Sequence, residues 1–293
     1  MTTIAQLLAE ATRPLCSFEF FPPKDAAGQD QLWLTVGRLK PLEPDFVSVT
    51  YGASGSGRER TLAVTKRLAT ETDYRVMGHL TCASQSVDQL KAVIDGYADD
   101  GIGHILAIRG DMPGGPTVPW LARPDGLANA TELVELIRSR GDFCIGVAAF
   151  PDGHPARHDR ALDARLLADK WAAGASFAIT QLFFEAGAYF ELVDRVRSLG
   201  CPIPIIPGIM PISLISQVTS FAQLSGATLP PAMMARLEAV RHDPAAVRGV
   251  GAALAAQLAE ELLAGGAPGL HFFTQNRSRA TLAIWRGLRH RTQ

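Results

Sequence analysis

The sequence lacks the features that mark several large classes of protein. Its 28 lysines and arginines nearly balance its 29 aspartates and glutamates, and no basic stripe with interleaved aromatic residues is present. A nucleic-acid-binding surface is therefore not indicated. No uninterrupted apolar run is long enough to span a bilayer, and residues 1–14 have neither the basic nor the apolar region of a signal peptide. We expect a cytoplasmic protein that binds small molecules.

Cysteine and histidine are sparse and show no metal-ligand spacing. The four cysteines, at positions 16, 82, 144 and 201, form no C-x-x-C pair, which argues against a zinc ribbon or a thiol redox motif. The seven histidines contain no H-E-x-x-H pattern. We predict no metal site and interpret the cysteines as buried, reduced thiols.

What the sequence does contain is a regular alternation of short β-branched or aromatic runs with longer stretches of helical periodicity. Eight such strand-helix units in 293 residues predict an α/β fold, a (β/α)8 TIM barrel, with extra helices at 230–265 before the last strand. The predicted strands are Leu15–Phe21, Phe46–Tyr51, Val76–Cys82, His104–Arg109, Cys144–Phe150, Phe177–Phe183, Ile203–Ile209 and Leu270–Thr274.

Helices are predicted between these strands, for example at Ser86–Asp99, Asn129–Arg140, Arg160–Ala173 and Ala188–Leu199. No linker divides the chain, so we expect a single catalytic domain over 1–293. An open doubly wound sheet is the alternative, but no G-x-G-x-x-G follows the first strand.

Polar residues recur at the carboxyl ends of the predicted strands. Glu19 lies in the first strand, His79 in the third, Arg109 and Asp111 at the end of the fourth, and Gln181 at the end of the sixth. Each alone has a structural explanation, such as a buried hydrogen bond or a loop ion pair. Because the active site of such a barrel gathers polar groups at that one end, their joint occurrence favours a shared ligand site.

Glu19 is the most unusual of these residues, because it lies between Phe18 and Phe20 in an apolar run. A carboxyl group in a dehydrated, aromatic setting has a raised pKa and can act as a general acid near neutral pH. The alternative is an ion pair with an arginine such as Arg109. Pro22 and Pro23 follow at once and predict the end of the strand.

Eight segments, in order along nearly the whole chain, resemble the methylenetetrahydrofolate reductases. They are "SFEFFPPK" at 17–24, "FVSVTYGASGSGRERT" at 46–61, "GHLTC" at 78–82, "LAIRGD" at 106–111, "VAAFPDGHP" at 147–155, "AITQLFF" at 178–184, "IPIIPGIMPIS" at 203–213 and "HFFTQNR" at 271–277. The resemblance implies an FAD-dependent barrel that reduces 5,10-methylenetetrahydrofolate to 5-methyltetrahydrofolate with NADH or NADPH, by a ping-pong mechanism. The product supplies methyl groups for methionine synthesis.

Position by position, the resemblance implies that Glu19 protonates the folate nitrogen N10. Asp111 would favour the resulting cation and tune the flavin. The implied folate contacts are Gln181, Gln217, Phe221 and Arg277, the last suited to a carboxylate of the glutamate tail. The implied FAD contacts are Thr50, Tyr51, Ala53, His79, Arg109, Gly110, Asp111, Ala130, Phe150, His154, Asp163 and Lys170. For Thr50 the alternative is a contact with the nicotinamide.

Three positions depart from the family's bacterial members. Phe150 stands where a tyrosine is frequent, and Leu166 and Asp169 stand where an asparagine and an arginine can contact the flavin. Replacing an arginine by an acid removes a phosphate contact, so we expect weaker retention of FAD, with Lys170 compensating in part.

Two alternative functions remain compatible with the sequence. One is a flavin-independent reductase with direct hydride transfer from nicotinamide to folate, and the other is a non-catalytic folate- or flavin-binding barrel. Retention of Glu19 argues against the second. The choice between NADH and NADPH is left open, and a homo-oligomer is expected. Eukaryotic relatives add a C-terminal domain that binds S-adenosylmethionine; we expect none in this sequence and no inhibition by that compound.

Overall fold

Parallel β-strands surround the centre of the protein, and helices cover them. The structure is a computed structural model and describes residues 2–51 and 55–291. Its strands are β1 Leu15–Phe20, β2 Phe46–Val49, β3 Val76–Thr81, β4 His104–Ile108, β5 Cys144–Ala149, β6 Phe177–Thr180, β7 Ile205–Ile206, β8 Gly208–Ile209 and β9 Gly269–Phe273. Each predicted strand is present, and most end one to three residues earlier than expected.

The strands form one parallel sheet in the order β7, β6, β5, β4, β3, β2, β1, β9, β8. The predicted seventh strand is two short segments, because Pro207 separates them and has no N–H to donate. The first segment pairs with β6 and the second pairs with β9. The carbonyl of Pro207 still accepts a hydrogen bond from the His271 N–H, at 3.0 Å. The sheet therefore curls into the (β/α)8 barrel that the sequence predicts.

Helices follow the strands as the sequence periodicity indicates. Asn129 and Asp159 each cap a helix by accepting backbone N–H groups, and Ser86 forms a capping box with Gln89. The two extra helices before the last strand are α9 and α10. The helices are α1 Ile4–Glu10, α2 Ala26–Leu39, α3 Gly55–Glu71, α4 Val87–Asp99, α5 Ala130–Arg140, α6 Arg160–Ala172, α7 Ala186–Ser198, α8 Ile215–Ser225, α9 Pro231–Glu238, α10 Pro244–Ala264 and α11 Arg279–Arg291, with a 3-10 turn at Lys40–Leu42.

The barrel interior is closed at its amino end by apolar side chains. Ile4 of α1 packs against inward-facing residues of the strands, including Phe46, Met77 and Phe177. The Ile4 N–H donates to Nε2 of His104 at 3.4 Å, which ties α1 to β4. This packing closes the amino end of the barrel.

The outer faces of the strands pack against the helices in a second, larger core. Phe18 and Phe20 of β1 are fully buried there, with Leu32 of α2 and Leu68 of α3. Because successive side chains of a strand point to opposite faces, Glu19 points into the barrel. The four cysteines are buried, and none of them forms a disulfide among the described residues.

Within residues 2–51 and 55–291, none of the helices has both the length and the apolar character needed to cross a membrane. The same described residues contain no group of three or more His, Cys, Asp or Glu side chains placed to hold a metal ion.

Candidate active site

A cavity of about 400 Å³ opens at the carboxyl ends of the strands. It has the location expected for the active site of a barrel enzyme. Predicted site residues make up much of its lining: Glu19, Thr50, Tyr51, His79, Arg109, Gly110, Asp111, Ala130, Phe150, His154, Asp163, Lys170 and Gln181. The structure therefore brings these residues from distant parts of the sequence to one place.

Three predicted residues that the structure describes, Gln217, Phe221 and Arg277, do not line this cavity. Ala53 lies outside the described residues. Nε2 of Gln217 donates a hydrogen bond to Oε1 of Gln275, and Phe221 packs against the apolar cluster between α8, α9 and α10. Arg277 is exposed after β9. Of the residues that differ from the family, Leu166 lines the cavity, whereas Asp169 is exposed and does not.

Glu19 lies deep in the cavity, in a group that we call the Glu19 pocket: Glu19, Thr50, His79 and His271. Oε1 of Glu19 accepts a hydrogen bond from the Thr50 hydroxyl at 2.8 Å. Its Oε2 is 3.5 Å from Nε2 of His271 and 3.6 Å from Nε2 of His79. Among the described residues no arginine forms an ion pair with this carboxylate, so the alternative of an ion pair with Arg109 is not observed.

The raised pKa expected for Glu19 is also wrong. Burial of the carboxyl group raises its pKa, but His271, His79 and the Thr50 hydroxyl together lower it by more, so that the pKa lies below the usual 4.5. The phenylalanines beside it in sequence do not surround it, since Phe18 and Phe20 point outward. Burial lowers the pKa of His79 to about 4. At neutral pH the pocket thus holds an ionised Glu19 beside a neutral His79.

His79 also carries an unused hydrogen-bonding atom. Its buried Nε2 has no hydrogen-bond partner within residues 2–51 and 55–291, and neither does Oγ1 of Thr81, two residues further along β3. Both residues line the cavity. Buried polar atoms are normally satisfied in folded proteins. These two are therefore available to a ligand that enters the cavity.

His271 is a site residue that the sequence reasoning missed. It is fully buried, and its Nδ1 lies 2.8 Å from the Ser17 hydroxyl. Ser17 and His271 occupy the same level of the paired strands β1 and β9. The signal was present in the sequence, because the two-residue period of a strand places His271 of "HFFTQNR" on the opposite face from Phe272. It could be used only once the pairing of first and last strands was known.

The opposite side of the cavity is basic, and we call Arg109, Arg157 and Lys170 the basic wall. Arg109 lies 3.8 Å from the nearest Asp111 oxygen and stacks on Trp120, 4.8 Å from the ring centroid. Arg157 donates to Asp163 at 2.8 Å. Arg157 was not among the predicted residues, because nothing in the loop sequence shows which side chain turns inward.

Lys170 and His154 complete this side of the cavity. Lys170 donates from Nζ to the Ala148 carbonyl at 2.7 Å, and burial lowers its pKa to about 8. Burial, with the charges of Arg109 and Arg157, lowers the pKa of His154 to about 4. The Asp163 carboxylate accepts the His154 N–H at 2.6 Å and fixes the loop after β5. The wall therefore presents positive charge from side chains in fixed positions.

Gly110 allows the backbone to turn after β4, next to Arg109 of the basic wall. Its φ of +78° lies in the left-handed region, which favours glycine. A Cβ at this position would lie 2.8 Å from Cβ of Thr81 and 2.9 Å from Cβ of Ala83. Side-chain substitution there would displace β3 or the loop that carries Asp111. Asp111 itself is half-exposed at the cavity edge, and burial raises its pKa against the opposing effect of Arg109.

Fold and cavity together define a class: a (β/α)8 barrel with a ligand site at the carboxyl end of its strands. The site contains the buried Glu19 carboxylate on one side and a basic wall on the other. A sequence model described as methylenetetrahydrofolate reductase matches residues 3–289. This chain belongs to that family.

Individual relatives agree with the family match. The 5,10-methylenetetrahydrofolate reductase of Pectobacterium carotovorum subsp. carotovorum is 38% identical over 92% of this chain and 88% of its own length. The enzyme of the same name from Escherichia coli K12 is 37% identical over 95% of this chain and 92% of its own length.

Solved structures support the fold. A Clostridium thermocellum protein described as binding two copies of 5-methyl-5,6,7,8-tetrahydrofolic acid aligns with a TM-score of 0.64 and 13% identity, over 98% of this chain and 99% of its own. A dihydropteroate synthase from Xanthomonas albilineans aligns with a TM-score of 0.52 and 15% identity, over 96% and 94%. At such identities these likenesses concern the fold alone.

Proposed function

We propose that this protein reduces 5,10-methylenetetrahydrofolate to 5-methyltetrahydrofolate, with FAD as cofactor and NADH or NADPH as electron donor. The observation that carries the proposal is the ionisable Glu19 at the inner end of a cavity lined by most of the residues that the family resemblance implies. Relatives with this name cover nearly the whole chain at 33–38% identity.

The residues present fit FAD. Its pyrophosphate needs cations, and the basic wall supplies Arg109, Arg157 and Lys170. Its ring system carries hydrogen-bonding atoms, and the orphaned Nε2 of His79 and Oγ1 of Thr81 are buried in the same cavity. Leu166 supplies no polar group on that side, which agrees with the expectation of weaker FAD retention. When bound, FAD would supply the hydride that reduces the substrate carbon.

The chain's own residues would handle the proton. Glu19 is the only carboxylate in the Glu19 pocket, and it would donate a proton to N10 of the folate, opening the ring to an iminium cation. Because the pKa of Glu19 lies below its usual value, binding must supply the protonated form. A folate that displaces the Thr50 hydroxyl and excludes water would raise this pKa, since both changes destabilise the charged carboxylate.

Asp111 and Gln181 would complete the reaction site. The half-exposed carboxylate of Asp111, 3.8 Å from Arg109, lies at the cavity edge and would favour the cationic iminium over the closed ring. Gln181 accepts the Leu182 N–H through Oε1 at 2.8 Å and so keeps its amide nitrogen free to contact a substrate in the cavity.

Anaerobic stopped-flow measurement on FAD-loaded protein tests the proposal. NADH or NADPH should bleach the flavin absorbance, and methylenetetrahydrofolate should restore it in a second mixing step. If folate reduction proceeds on protein stripped of flavin, the direct-hydride alternative replaces this proposal. If folate is bound but never reduced under either condition, the chain is a carrier and the proposed reaction is wrong.

A further inference from the structure

His271 links Glu19 to a buried serine. Its Nε2 lies 3.5 Å from Oε2 of Glu19, and its Nδ1 lies 2.8 Å from the Ser17 hydroxyl. Ser17 and His271 are both fully buried. The three side chains come from the paired strands β1 and β9, in which Ser17 lies opposite His271 and Glu19 lies opposite Phe273. The pairing of these strands therefore sets the spacing of a serine, a histidine and a carboxylate.

The imidazole ring of His271 is held by packing against two aromatic rings. It stacks on Phe46, with ring centroids 5.7 Å apart and an interplanar angle of 14°. Phe273 meets it nearly edge-on, with ring centroids 5.6 Å apart and an angle of 88°. A ring packed on its face and at its edge cannot turn over without displacing its neighbours. The two ring nitrogens are therefore distinct, because each keeps its own hydrogen-bonding neighbour.

These neighbours favour one tautomer. A neutral imidazole has one N–H donor and one acceptor nitrogen. The Glu19 carboxylate is ionised at neutral pH, so it attracts an N–H at Nε2 of His271 and repels a lone pair there. Nδ1 is then the acceptor, and the Ser17 hydroxyl can donate to it at 2.8 Å. If Ser17 instead donated to the Leu270 carbonyl, 3.2 Å away, the proton would lie on Nδ1 and the Nε2 lone pair would face the carboxylate.

The two carboxylate oxygens of Glu19 consequently differ. Oε2 faces imidazole nitrogens, at 3.5 Å from His271 and 3.6 Å from His79. Oε1 accepts from the Thr50 hydroxyl at 2.8 Å, and that hydroxyl is also 3.3 Å from the Phe20 carbonyl. A proton on Oε2 would meet the N–H of His271. A proton on Oε1 is accommodated when the Thr50 hydroxyl turns to Phe20, so Oε1 is the oxygen that can be protonated without two donors facing each other.

We propose that Ser17 and His271 are positioning residues: Ser17 holds His271 in the tautomer with its N–H at Nε2, and this N–H holds Oε2 of Glu19, so that the transferable proton resides on Oε1. The inference rests on the proposed function for the step that it serves. In that step the Oε1–H bond breaks and the proton bonds to N10 of the folate, while the electron pair stays on the carboxylate. The Nε2–H stabilises the new charge. We expect the 3.5 Å contact to shorten in that complex, because catalytic hydrogen bonds often tighten only when substrate binds.

The pH dependence of the folate step reports this arrangement. His271 of β9, His79 of β3 and the Thr50 hydroxyl are the groups that lower the pKa of Glu19. Without the donor at Nε2 the carboxylate is less stable, so the pKa of Glu19 rises and the acid keeps its proton to a higher pH. The rate of an acid-catalysed step falls as the pH rises through the pKa of the acid. In His271→Leu this fall should move to higher pH by about one to two units, the effect of losing one hydrogen bond to a charged group.

Three variants and a control are compared by stopped-flow absorbance of the folate half-reaction on FAD-loaded protein, between about pH 6 and pH 9. His271→Leu removes the donor, whereas His271→Gln restores an N–H and should return the profile toward wild type. Ser17→Ala removes the hydroxyl that fixes the tautomer and should give a smaller shift in the same direction. The control is His104→Gln, at a buried histidine of β4 that contacts α1 at the amino end of the barrel. It should leave the profile unchanged. The other ionisable side chains that line the cavity are the same in every variant.

Nitrogen NMR of protein with isotope-labelled histidine tests the tautomer without turnover. The wild-type chemical shifts should show His271 protonated at Nε2 and bare at Nδ1, with His271→Gln identifying its signals by their loss. Ser17→Ala should reduce the population of this tautomer. A proton on Nδ1 in wild type would overturn the inference. So would a His271→Leu rate that is lowered by the same factor at every pH, which is the result expected of a merely structural role. A wild-type protein that reduces no folate would contradict the proposed function instead, and the nitrogen shifts would still decide the tautomer.

Discussion

The two sides of the cavity have opposite electrostatic character. In the Glu19 pocket, a carboxylate that is 7% exposed lies beside a hydroxyl and two imidazoles, and no lysine or arginine of the described residues pairs with it. In the basic wall, three cations face two carboxylates, Asp111 and Asp163. A buried charge without a counter-ion is costly, so it is retained where its protonation can change. An excess of cations on a cavity wall instead suits a permanently charged ligand group.

The difference separates proton transfer from cofactor binding within one small space. Strands β1, β2, β3 and β9 supply the Glu19 pocket, whereas β4, the loop after β5 and helix α6 supply the basic wall. Variants on one side should therefore change the folate step, and variants on the other should change FAD affinity. A variant that changes both would show that the two sides are coupled.

Glu19→Gln should give the largest effect. It keeps the size of the side chain but removes the proton donor, so the oxidation of reduced protein by methylenetetrahydrofolate should slow by roughly 10² to 10⁴. Flavin reduction by NADH should continue at the wild-type rate. Stopped-flow absorbance of the two half-reactions measures both quantities.

The control for this variant is Glu10→Gln, an exposed glutamate of α1 at the opposite end of the barrel. It should leave both half-reactions unchanged. If Glu19→Gln reduces folate as fast as wild type, Glu19 is not the acid, and the Glu19 pocket has only a structural role.

Arg109→Ala addresses the basic wall and should give an intermediate effect. Loss of a charge-assisted contact to a phosphate should raise the FAD dissociation constant roughly 10- to 100-fold. Titration of flavin-free protein with FAD, followed by quenching of flavin fluorescence, gives this constant. At saturating FAD the folate half-reaction should match wild type, because Arg109 does not contact Glu19.

Arg140→Ala is the matched control, since Arg140 is an exposed arginine that pairs with Asp95 on the outer helices. An unchanged FAD dissociation constant in Arg109→Ala would contradict the proposed phosphate-binding role of the basic wall. A slower folate step at saturating FAD would show that the two sides of the cavity are coupled.

The barrel could be predicted from the sequence because strand and helix periodicities are local signals. The break at Pro207 was visible as a proline, but its effect on pairing depends on the closed sheet. Polar strand ends likewise predicted several of the polar residues that line the cavity. They could not reveal His271 beside Glu19, since that contact requires the first and last strands to pair.

The prediction of a raised pKa for Glu19 was wrong for a physical reason. The sequence shows that Phe18 and Phe20 are its neighbours, but a strand places successive side chains on opposite faces. The aromatic rings thus belong to the outer core, and the groups that set the pKa of Glu19 come from β2, β3 and β9. Gln217 and Arg277 fall outside the cavity for a related reason, because sequence motifs do not show how far a site extends.

The smallest expected effect concerns the pH dependence of stability. The pKa of His79 is about 4 in the fold and about 6.5 in the unfolded chain. Its contribution to stability is therefore fully present above pH 6.5 and is lost as the pH falls toward 4. Between pH 7 and pH 5 this loss is about 2 kcal/mol. Glu19 contributes nothing in that window, because its lowered pKa means that its contribution is lost only at pH values below its usual 4.5.

His79→Gln should remove that part of the pH dependence. Urea unfolding at pH 7 and pH 5 should show a fall in the free energy of unfolding that is about 2 kcal/mol smaller in the variant than in wild type. Exposed His242→Gln is the control and should show the full wild-type fall, because His242 is not buried. His104 and His154, whose pKa values are also lowered to about 4, remain in both proteins and cancel in the comparison.

An identical fall in His79→Gln and wild type would mean that His79 binds its proton equally well in the folded and the unfolded state. The Glu19 pocket would then contain a charged partner for the carboxylate, and the contrast between the two sides of the cavity would be lost.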